Sequence, residues 1–220
     1  MKLVEYPDFE MLSIALANTL AGQINNVLFH EEHITLGLPG GTTPGPLYDD
    51  LSGATLDWER VRVIPTDERL VPPDHERSNE RMIRERLLTG AAAKAHFIPL
   101  RPGADGMDGL NDRVGRALPL TILVLGMGTD MHTASLFPNA EDLEAALKAE
   151  ARPVMKLTVP GQPEARITLT APVLKRALST HVIITGPEKR AAVERAAHID
   201  DPLVAPISMV LDNATVHWTR

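Results

Sequence analysis

A histidine two residues after an aspartate is the first pair of side chains in this sequence that could do chemistry. The surrounding segment reads Gly126-Met127-Gly128-Thr129-Asp130-Met131-His132-Thr133-Ala134-Ser135. An imidazole accepts a proton from water at neutral pH, and a neighbouring carboxylate can orient it. Asp130 and His132 are therefore candidates for a pair that activates water. The alternative is a histidine on a surface loop. A dinucleotide fingerprint is excluded, because Met131 stands where its third glycine would be.

A glycine-rich loop upstream could hold a phosphate. Residues 39–44 read Pro39-Gly40-Gly41-Thr42-Thr43-Pro44. Glycines let the backbone approach a ligand, and the free N–H groups at a helix start bind anions. Gly40, Gly41, Thr42 and Thr43 are therefore candidates for phosphate binding, and the alternative is a plain strand-to-helix turn with Thr43 as N-cap. No lysine follows the second glycine, which excludes a Walker loop.

Two further sites carry charges that could contact a ligand. Asp67-Glu68-Arg69 follows an apolar run, so Asp67 and Arg69 could hold a sugar hydroxyl, a carboxylic acid or a phosphate. The alternative is a solvated loop with an internal ion pair. Lys189, near a predicted helix start, could reach an anion, although charges there usually lie on a solvated face.

Metal and serine chemistry have weaker support. His30 and His33 are three residues apart, but no third ligand follows them, so we expect no metal site. Ser135 lacks the G-x-S-x-G context of a hydrolase nucleophile. The sequence contains no cysteine, which excludes thiol catalysis, disulfides and thiolate metal sites.

Apolar patterns predict the elements that position these loops. Apolar residues recur every three or four positions over residues 9–27, which indicates an amphipathic helix. Further helices are predicted after residue 44 and over residues 78–90, 107–117, 141–150 and 187–197. Continuous apolar runs predict strands over residues 34–38, 61–64, 120–125, 154–159, 166–169, 181–185 and 215–218. Alternating strands and helices favour an α/β fold with a mostly parallel sheet. Ligands of such sheets bind beyond the carboxyl ends of the strands, here after Leu38, Ile64 and Leu125.

Length and charge narrow the class of protein. A chain of 220 residues favours one domain, and we expect residues 1–220 to form it. The net charge of −7 argues against nucleic-acid and anionic-membrane partners. Acidic residues occupy the start of the sequence, where a signal peptide would be apolar, and no apolar run approaches a membrane span. We therefore expect a soluble cytoplasmic protein, of undetermined oligomeric state.

Taken together, the loops resemble those of the 6-phosphogluconolactonases of the oxidative pentose phosphate pathway, a family related to glucosamine-6-phosphate deaminases. The resemblance runs from the first helix nearly to the C-terminus. It rests on Gly40-Gly41-Thr42-Thr43-Pro44, Asp67-Glu68-Arg69-Leu70-Val71-Pro72, Ser78-Asn79, residues 125–138 and Arg166-Ile167-Thr168-Leu169-Thr170. It implies a Rossmann-like three-layer α/β/α fold. It also implies hydrolysis of 6-phospho-D-glucono-1,5-lactone to 6-phospho-D-gluconate without metal or organic cofactor.

The resemblance also implies roles for individual residues. His132 would be the general base, and Asp130 would orient it. The phosphate would lie against the Gly-Gly-Thr-Thr loop, and Arg69 would face the substrate. Arg166 and Lys189 are weaker candidates for contacts with an anion.

Two other functions are compatible with a related fold. An amino-sugar-phosphate isomerase or deaminase would need a further acid or base after the histidine, and Ser135-Leu136-Phe137-Pro138 contains none. A non-catalytic sugar-phosphate sensor would normally carry a DNA-binding segment, for which the sequence has no spare basic region.

The sequence departs from the family pattern at two positions. Met131 stands where a glycine is usual, and Pro39 where a serine is usual. A glycine at positive φ cannot become methionine without strain of about 1–3 kcal/mol. We therefore predict a negative φ at Met131.

Overall fold

Seven parallel strands form the main sheet of the computed structural model, which describes all 220 residues. The chain has ten strands in all, of which seven belong to this sheet. They are β1 (Lys2–Glu5), β2 (Ile34–Leu38), β3 (Val61–Pro65), β4 (Asp67–Arg69), β5 (His96–Phe97), β6 (Ile122–Gly126), β7 (Val154–Leu157), β8 (Arg166–Leu169), β9 (Ser179–Thr185) and β10 (Ala214–Thr219). The main sheet has the order β1-β10-β9-β6-β2-β3-β5, and all of its neighbouring pairs are parallel. Strands β4, β8 and β7 form a separate antiparallel sheet.

Helices cover both faces of the main sheet, which gives three layers. They are α1 (Phe9–Leu28), α2 (Gly45–Ser52), α3 (Asn79–Arg86), α4 (Gly106–Gly115), α5 (Leu143–Leu147), α6 (Ala171–Lys175), α7 (Pro187–Ala196) and α8 (Ser208–Leu211). Along β6, Ile122 and Val124 pack into one core with α1 and α2, whereas Leu123 and Leu125 pack into the other. Successive side chains of a strand point to opposite faces, so a central strand with helices on both sides must be apolar throughout.

The strand order places a crevice between β2 and β6. From β2 the chain proceeds outward to β3 and β5, and from β6 it proceeds the other way to β9 and β10. The connections after β2 and β6 therefore diverge at the carboxyl edge of the sheet, which is where ligands of open α/β sheets bind. No helix of the chain has both the length and the apolar character needed to cross a membrane.

The predicted α/β fold with a mostly parallel sheet is confirmed, and several element bounds are corrected. Residues 67–69, predicted as a loop, form β4, because they pair with β8. The helix predicted over residues 141–150 is only Leu143–Leu147, and the helix starting after Ser78 ends at Arg86. Patterning did not predict β1, α6 or α8, which are each four or five residues long.

Candidate active site

A cleft of about 430 Å³ opens at the carboxyl edge of the sheet, at the divergence of β2 and β6. Its walls come from the loop after β2, the segment after β6, the antiparallel sheet and the first turn of α7. Nine of the ten residues predicted for the site line it: Gly40, Gly41, Thr42, Thr43, Asp67, Arg69, His132, Arg166 and Lys189. The tenth, Asp130, does not line the cleft, but it is hydrogen-bonded to His132, which does.

The histidine of the cleft is oriented by a carboxylate and an aromatic ring. His132 Nδ1 lies 2.5 Å from Asp130 Oδ1, which also accepts the backbone N–H of His132 at 3.2 Å. The imidazole stacks on Phe137, with ring centroids 3.9 Å apart and an interplanar angle of 20°. When Nδ1–H donates to the carboxylate, Nε2 keeps a free lone pair. His132 Nε2 has no hydrogen-bond partner in the protein, so it is available to take a proton from a ligand or water.

The prediction of a negative φ at Met131 is wrong, since its φ is +67°. The turn that joins Asp130 to His132 requires this conformation. Gly128 donates its N–H to His132 O at 3.1 Å, and Met131 N–H donates to Gly128 O at 3.0 Å. Met131 O accepts the backbone N–H of Ile207, and the Met131 side chain packs against the core that contains Leu123 and Leu125. These contacts offset the strain of a left-handed residue, which costs on the order of 1–2 kcal/mol.

Gly128 leaves the space that the histidine and aspartate occupy. A Cβ at this position would lie 2.3 Å from His132 Nδ1 and 2.4 Å from Asp130 Oδ1, closer than any real contact. Only glycine therefore permits the hydrogen-bonded pair in its observed place.

Gly128→Ala should lower kcat by roughly 10- to 100-fold while the protein stays folded, because both displaced side chains are partly exposed and can move outward. The matched control is Gly115→Ala at the end of α4, where a new methyl group meets no atom within 4 Å. Steady-state kinetics and thermal melting of both variants would check this. A Gly128→Ala enzyme as active as Gly115→Ala would mean that the pair is not needed in this place.

The loop after β2 offers backbone donors that the protein does not use. None of the N–H groups of residues 40–43 is hydrogen-bonded within the protein, and neither threonine hydroxyl is. Gly41 has a φ of +85°, and the first residue before α2 is Pro44, which makes no side-chain cap. The alternative with Thr43 as N-cap is therefore wrong. Buried Tyr48 fixes the base of the loop by donating its hydroxyl to Pro39 O at 2.6 Å.

Two guanidinium groups in the cleft have unpaired donors. Nε of Arg69 and Nε of Arg166 are both buried without a partner. Arg166 donates to Gln162 Oε1 at 3.0 Å and lies 3.9 Å from Asp67 Oδ2. Burial lowers the pKa of Arg166, Asp67 raises it, and neighbouring Arg69 lowers it further. Positive charge that is both buried and incompletely paired is stabilised by an anionic ligand.

The carboxylates of β4 are buried and have structural partners, so a solvated loop is excluded. Glu68 is 1% exposed, and it accepts the backbone N–H groups of Arg69, Asn79 and Glu80, each at 2.8 Å. It also accepts the Ser78 hydroxyl at 3.1 Å. It therefore satisfies the start of α3, where a negative charge is stabilised by the helix dipole.

Three residues of the cleft had no role in the sequence prediction. Asn79 lies against the glycine loop, Phe137 beneath His132, and Gln162 beside Arg166. Asn79 and Phe137 stand within the segments that carry the family resemblance, which is the only sequence signal for them. Gln162 lies in a turn between β7 and β8, and no pattern indicated its contact with Arg166.

The chain matches one protein family over almost its whole length. The family model "Glucosamine-6-phosphate isomerases/6-phosphogluconolactonase" matches residues 7–218. A 6-phosphogluconolactonase of Pseudomonas putida is 36% identical over 224 residues, which cover 99% of this chain and 93% of that protein. One from Rhizobium meliloti strain 1021 is 33% identical over 228 residues, covering 99% and 97%.

Solved structures agree with these relatives. The crystal structure of a 6-phosphogluconolactonase from Shewanella baltica OS155 matches with a TM-score of 0.94 and 30% identity, over 100% of this chain and 98% of that one. A 6-phosphogluconolactonase structure from Thermotoga maritima matches with a TM-score of 0.83 and 27% identity, over 99% and 98%. The chain therefore belongs to the glucosamine-6-phosphate isomerase/6-phosphogluconolactonase family.

Proposed function

We propose that this chain is a 6-phosphogluconolactonase, a carboxylic ester hydrolase that converts 6-phospho-D-glucono-1,5-lactone to 6-phospho-D-gluconate. One observation carries the proposal: a single cleft contains a carboxylate-oriented imidazole and a separate group of N–H donors without protein acceptors. The relatives named above support the same reaction. An activated ester with a remote phosphate requires a base at one end and an anion site at the other.

His132 acts as the base in this proposal. Its Nε2 takes a proton from water, and the water oxygen forms a bond to the lactone carbonyl carbon as the carbonyl π electrons move to oxygen. When the tetrahedral intermediate collapses, the bond from that carbon to the ring oxygen breaks. The imidazolium then gives its proton to the ring oxygen, which restores the base, and the new carboxylic acid ionises in water. Asp130 stabilises the imidazolium through the Nδ1 hydrogen bond.

The phosphate is held by the N–H groups of residues 40–43 together with cationic side chains. Arg69, Arg166 and Lys189 line the same cleft, and the unpaired guanidinium N–H groups favour a dianion. Asp67 lines the same cleft, and its carboxylate lies 3.9 Å from Arg166 Nη1, so it helps to hold that guanidinium group in place. Binding energy from the phosphate positions the lactone carbonyl beside His132, so a lactone without phosphate would lose this orientation.

The direct test is hydrolysis of freshly generated lactone, measured against its spontaneous hydrolysis. We expect a rate far above the background without added metal. Ammonia release from glucosamine 6-phosphate is the parallel assay for the amino-sugar alternative. Lactone hydrolysis at the background rate, with or without ammonia release, would contradict the proposal.

A further inference from the structure

The amide side chain of Asn79 connects three parts of the cleft. Asn79 is the first residue of α3 and is 2% exposed. Its Nδ2 donates to Asp67 O at 2.8 Å and to Asp67 Oδ1 at 3.3 Å, and its Oδ1 accepts from Arg69 Nη1 at 2.9 Å. Both ends of the amide are therefore used by residues that line the cleft.

The same side chain fills the space beside the glycine loop. A Cβ at Gly40 would lie 1.8 Å from Asn79 Oδ1 and 1.9 Å from Asn79 Cγ. Gly40 is therefore glycine because Asn79 packs directly against its backbone. Any movement of Asn79 changes the surroundings of the loop and of Arg69 together.

Asn79 is itself held by the buried carboxylate of Glu68. Glu68 Oε1 accepts the backbone N–H groups of both Arg69 and Asn79 at 2.8 Å. The same carboxylate therefore fixes the backbone at the start of α3 and at the end of β4. This holds the Asn79 side chain at a constant position relative to Arg69.

The contact with Asn79 leaves one edge of Arg69 free. Arg69 Nη1 donates to Arg77 O at 2.8 Å and to Asn79 Oδ1. Nε and Nη2 donate to no protein group, and Nε is buried. This Nε–Nη2 edge is the geometry that binds a carboxylate or phosphate through two parallel hydrogen bonds.

We propose that Asn79 is the positioning residue that aligns the Arg69 guanidinium with the glycine loop, so that both bind one phosphate. The proposal rests on the proposed function for the identity of the ligand. Asn79 acts through Arg69 and the loop, so its loss weakens ligand binding and leaves the His132 base intact.

The test uses 6-phosphogluconate, a sugar phosphate whose binding by calorimetry requires no turnover. Asn79→Ala should raise its Kd by about tenfold or more and raise KM similarly, with kcat within about threefold. Asn111→Ala is the matched control, since Asn111 is also a buried asparagine bonded through both amide ends, but to Met107 and Val154 outside the cleft. It should lower stability without changing Kd.

A second pair of variants separates positioning from general loss of stability. Gly40→Ala alone should weaken binding, because its methyl group displaces Asn79. The same change in an Asn79→Ala background should have little additional effect, because the atoms it meets are gone. Asn79→Asp should raise the Kd at neutral pH, where the new carboxylate faces Asp67. The ratio of its Kd to that of wild type should fall toward one as the pH is lowered and the new carboxyl group is protonated.

Three results would overturn the proposal: an unchanged Kd in Asn79→Ala, additive effects of the Gly40 and Asn79 changes, or an equal rise in Kd for Asn111→Ala. These outcomes are independent of the reaction. If wild type fails to hydrolyse the lactone but binds 6-phosphogluconate in an Asn79-dependent manner, the function is wrong and the positioning role stands.

Discussion

His132→Asn should lower kcat by about 10²- to 10⁴-fold, while the Kd for 6-phosphogluconate stays within about threefold of wild type. Asparagine cannot take the proton from water, so the loss is the contribution of the base. Phosphate affinity is retained because His132 makes no hydrogen bond to the glycine loop or to either guanidinium group. Because the His132 side chain is 27% exposed, its replacement by the smaller asparagine should leave the protein folded.

Lactone hydrolysis with calorimetric binding of 6-phosphogluconate measures both halves of this prediction. His96→Asn is the control, because His96 is an exposed histidine of β5 outside the cleft. Asp130→Asn should lower kcat by a smaller factor than His132→Asn does, because the Asp130 side chain is 51% exposed and water can replace part of its interaction with the imidazole. Turnover of His132→Asn equal to that of His96→Asn would remove His132 from the mechanism.

The fold was predictable because its central strands are buried on both faces. Continuous apolar runs such as residues 34–38 and 120–125 have no polar alternation, and only a sheet covered on both sides accommodates them. The antiparallel sheet was not predictable from such patterns. Its strand β4 is three residues long and charged, and its pairing with β8 joins residues about a hundred positions apart in sequence.

The location of the candidate site was predictable for a related reason. In a parallel sheet the carboxyl ends of neighbouring strands meet at one edge, so the loops after β2 and β6 had to approach each other. The hydrogen-bonding between side chains was not predictable. Asn79 and Gln162 enter the cleft through contacts that depend on how α3 and the β7–β8 turn pack, and local sequence carries no such information.

Met131 shows where local reasoning failed. A methionine in the left-handed conformation is strained, but the strain is smaller than the stabilisation from the contacts of the turn in which Met131 lies. Hydrogen bonds from Gly128 and Ile207 and the packing of the partly buried thioether side chain against the core favour that turn. Tertiary contacts of this kind override a residue's backbone preference, and a single sequence does not reveal them.

Acidification should destabilise this protein through His181 and His217, two buried histidines on neighbouring strands β9 and β10. Tyr6 Oη lies 2.9 Å from His217 Nδ1, and His217 Nε2 lies 3.0 Å from His181 Nδ1. His181 Nε2 reaches Gln23 Oε1 at 3.2 Å. Neutral rings satisfy every one of these contacts, with each group donating to the next. A proton added to either ring places a positive charge in a buried site that holds no carboxylate partner for it, and burial disfavours that charge.

The sign of the effect follows from the pKa values. Burial lowers the pKa of His181 from 6.5 to about 4, and burial, His181 and Lys2 lower that of His217 to about 4. The unfolded chain therefore binds more protons than the folded one between these values. The free energy of unfolding that depends on these two neutral histidines is fully present above pH 6.5, and it is lost as the pH falls toward 4. The loss is roughly 2 kcal/mol per histidine between pH 7 and 5, a large share of a typical unfolding free energy.

Urea unfolding at about pH 7 and about pH 5 measures this difference where most carboxylates stay ionised. His217→Gln should reduce the pH dependence by about half, because one of the two groups with a lowered pKa is lost, whereas the pKa of His181 is lowered by its own burial. His198→Gln, at an exposed position, should leave it unchanged. Equal unfolding free energies at the two pH values in wild type would mean that the buried pair accepts protons in the folded state as readily as in the unfolded chain. The burial of the two rings argues against that result, because a charged imidazole loses its hydration in the folded protein and keeps it in the unfolded chain.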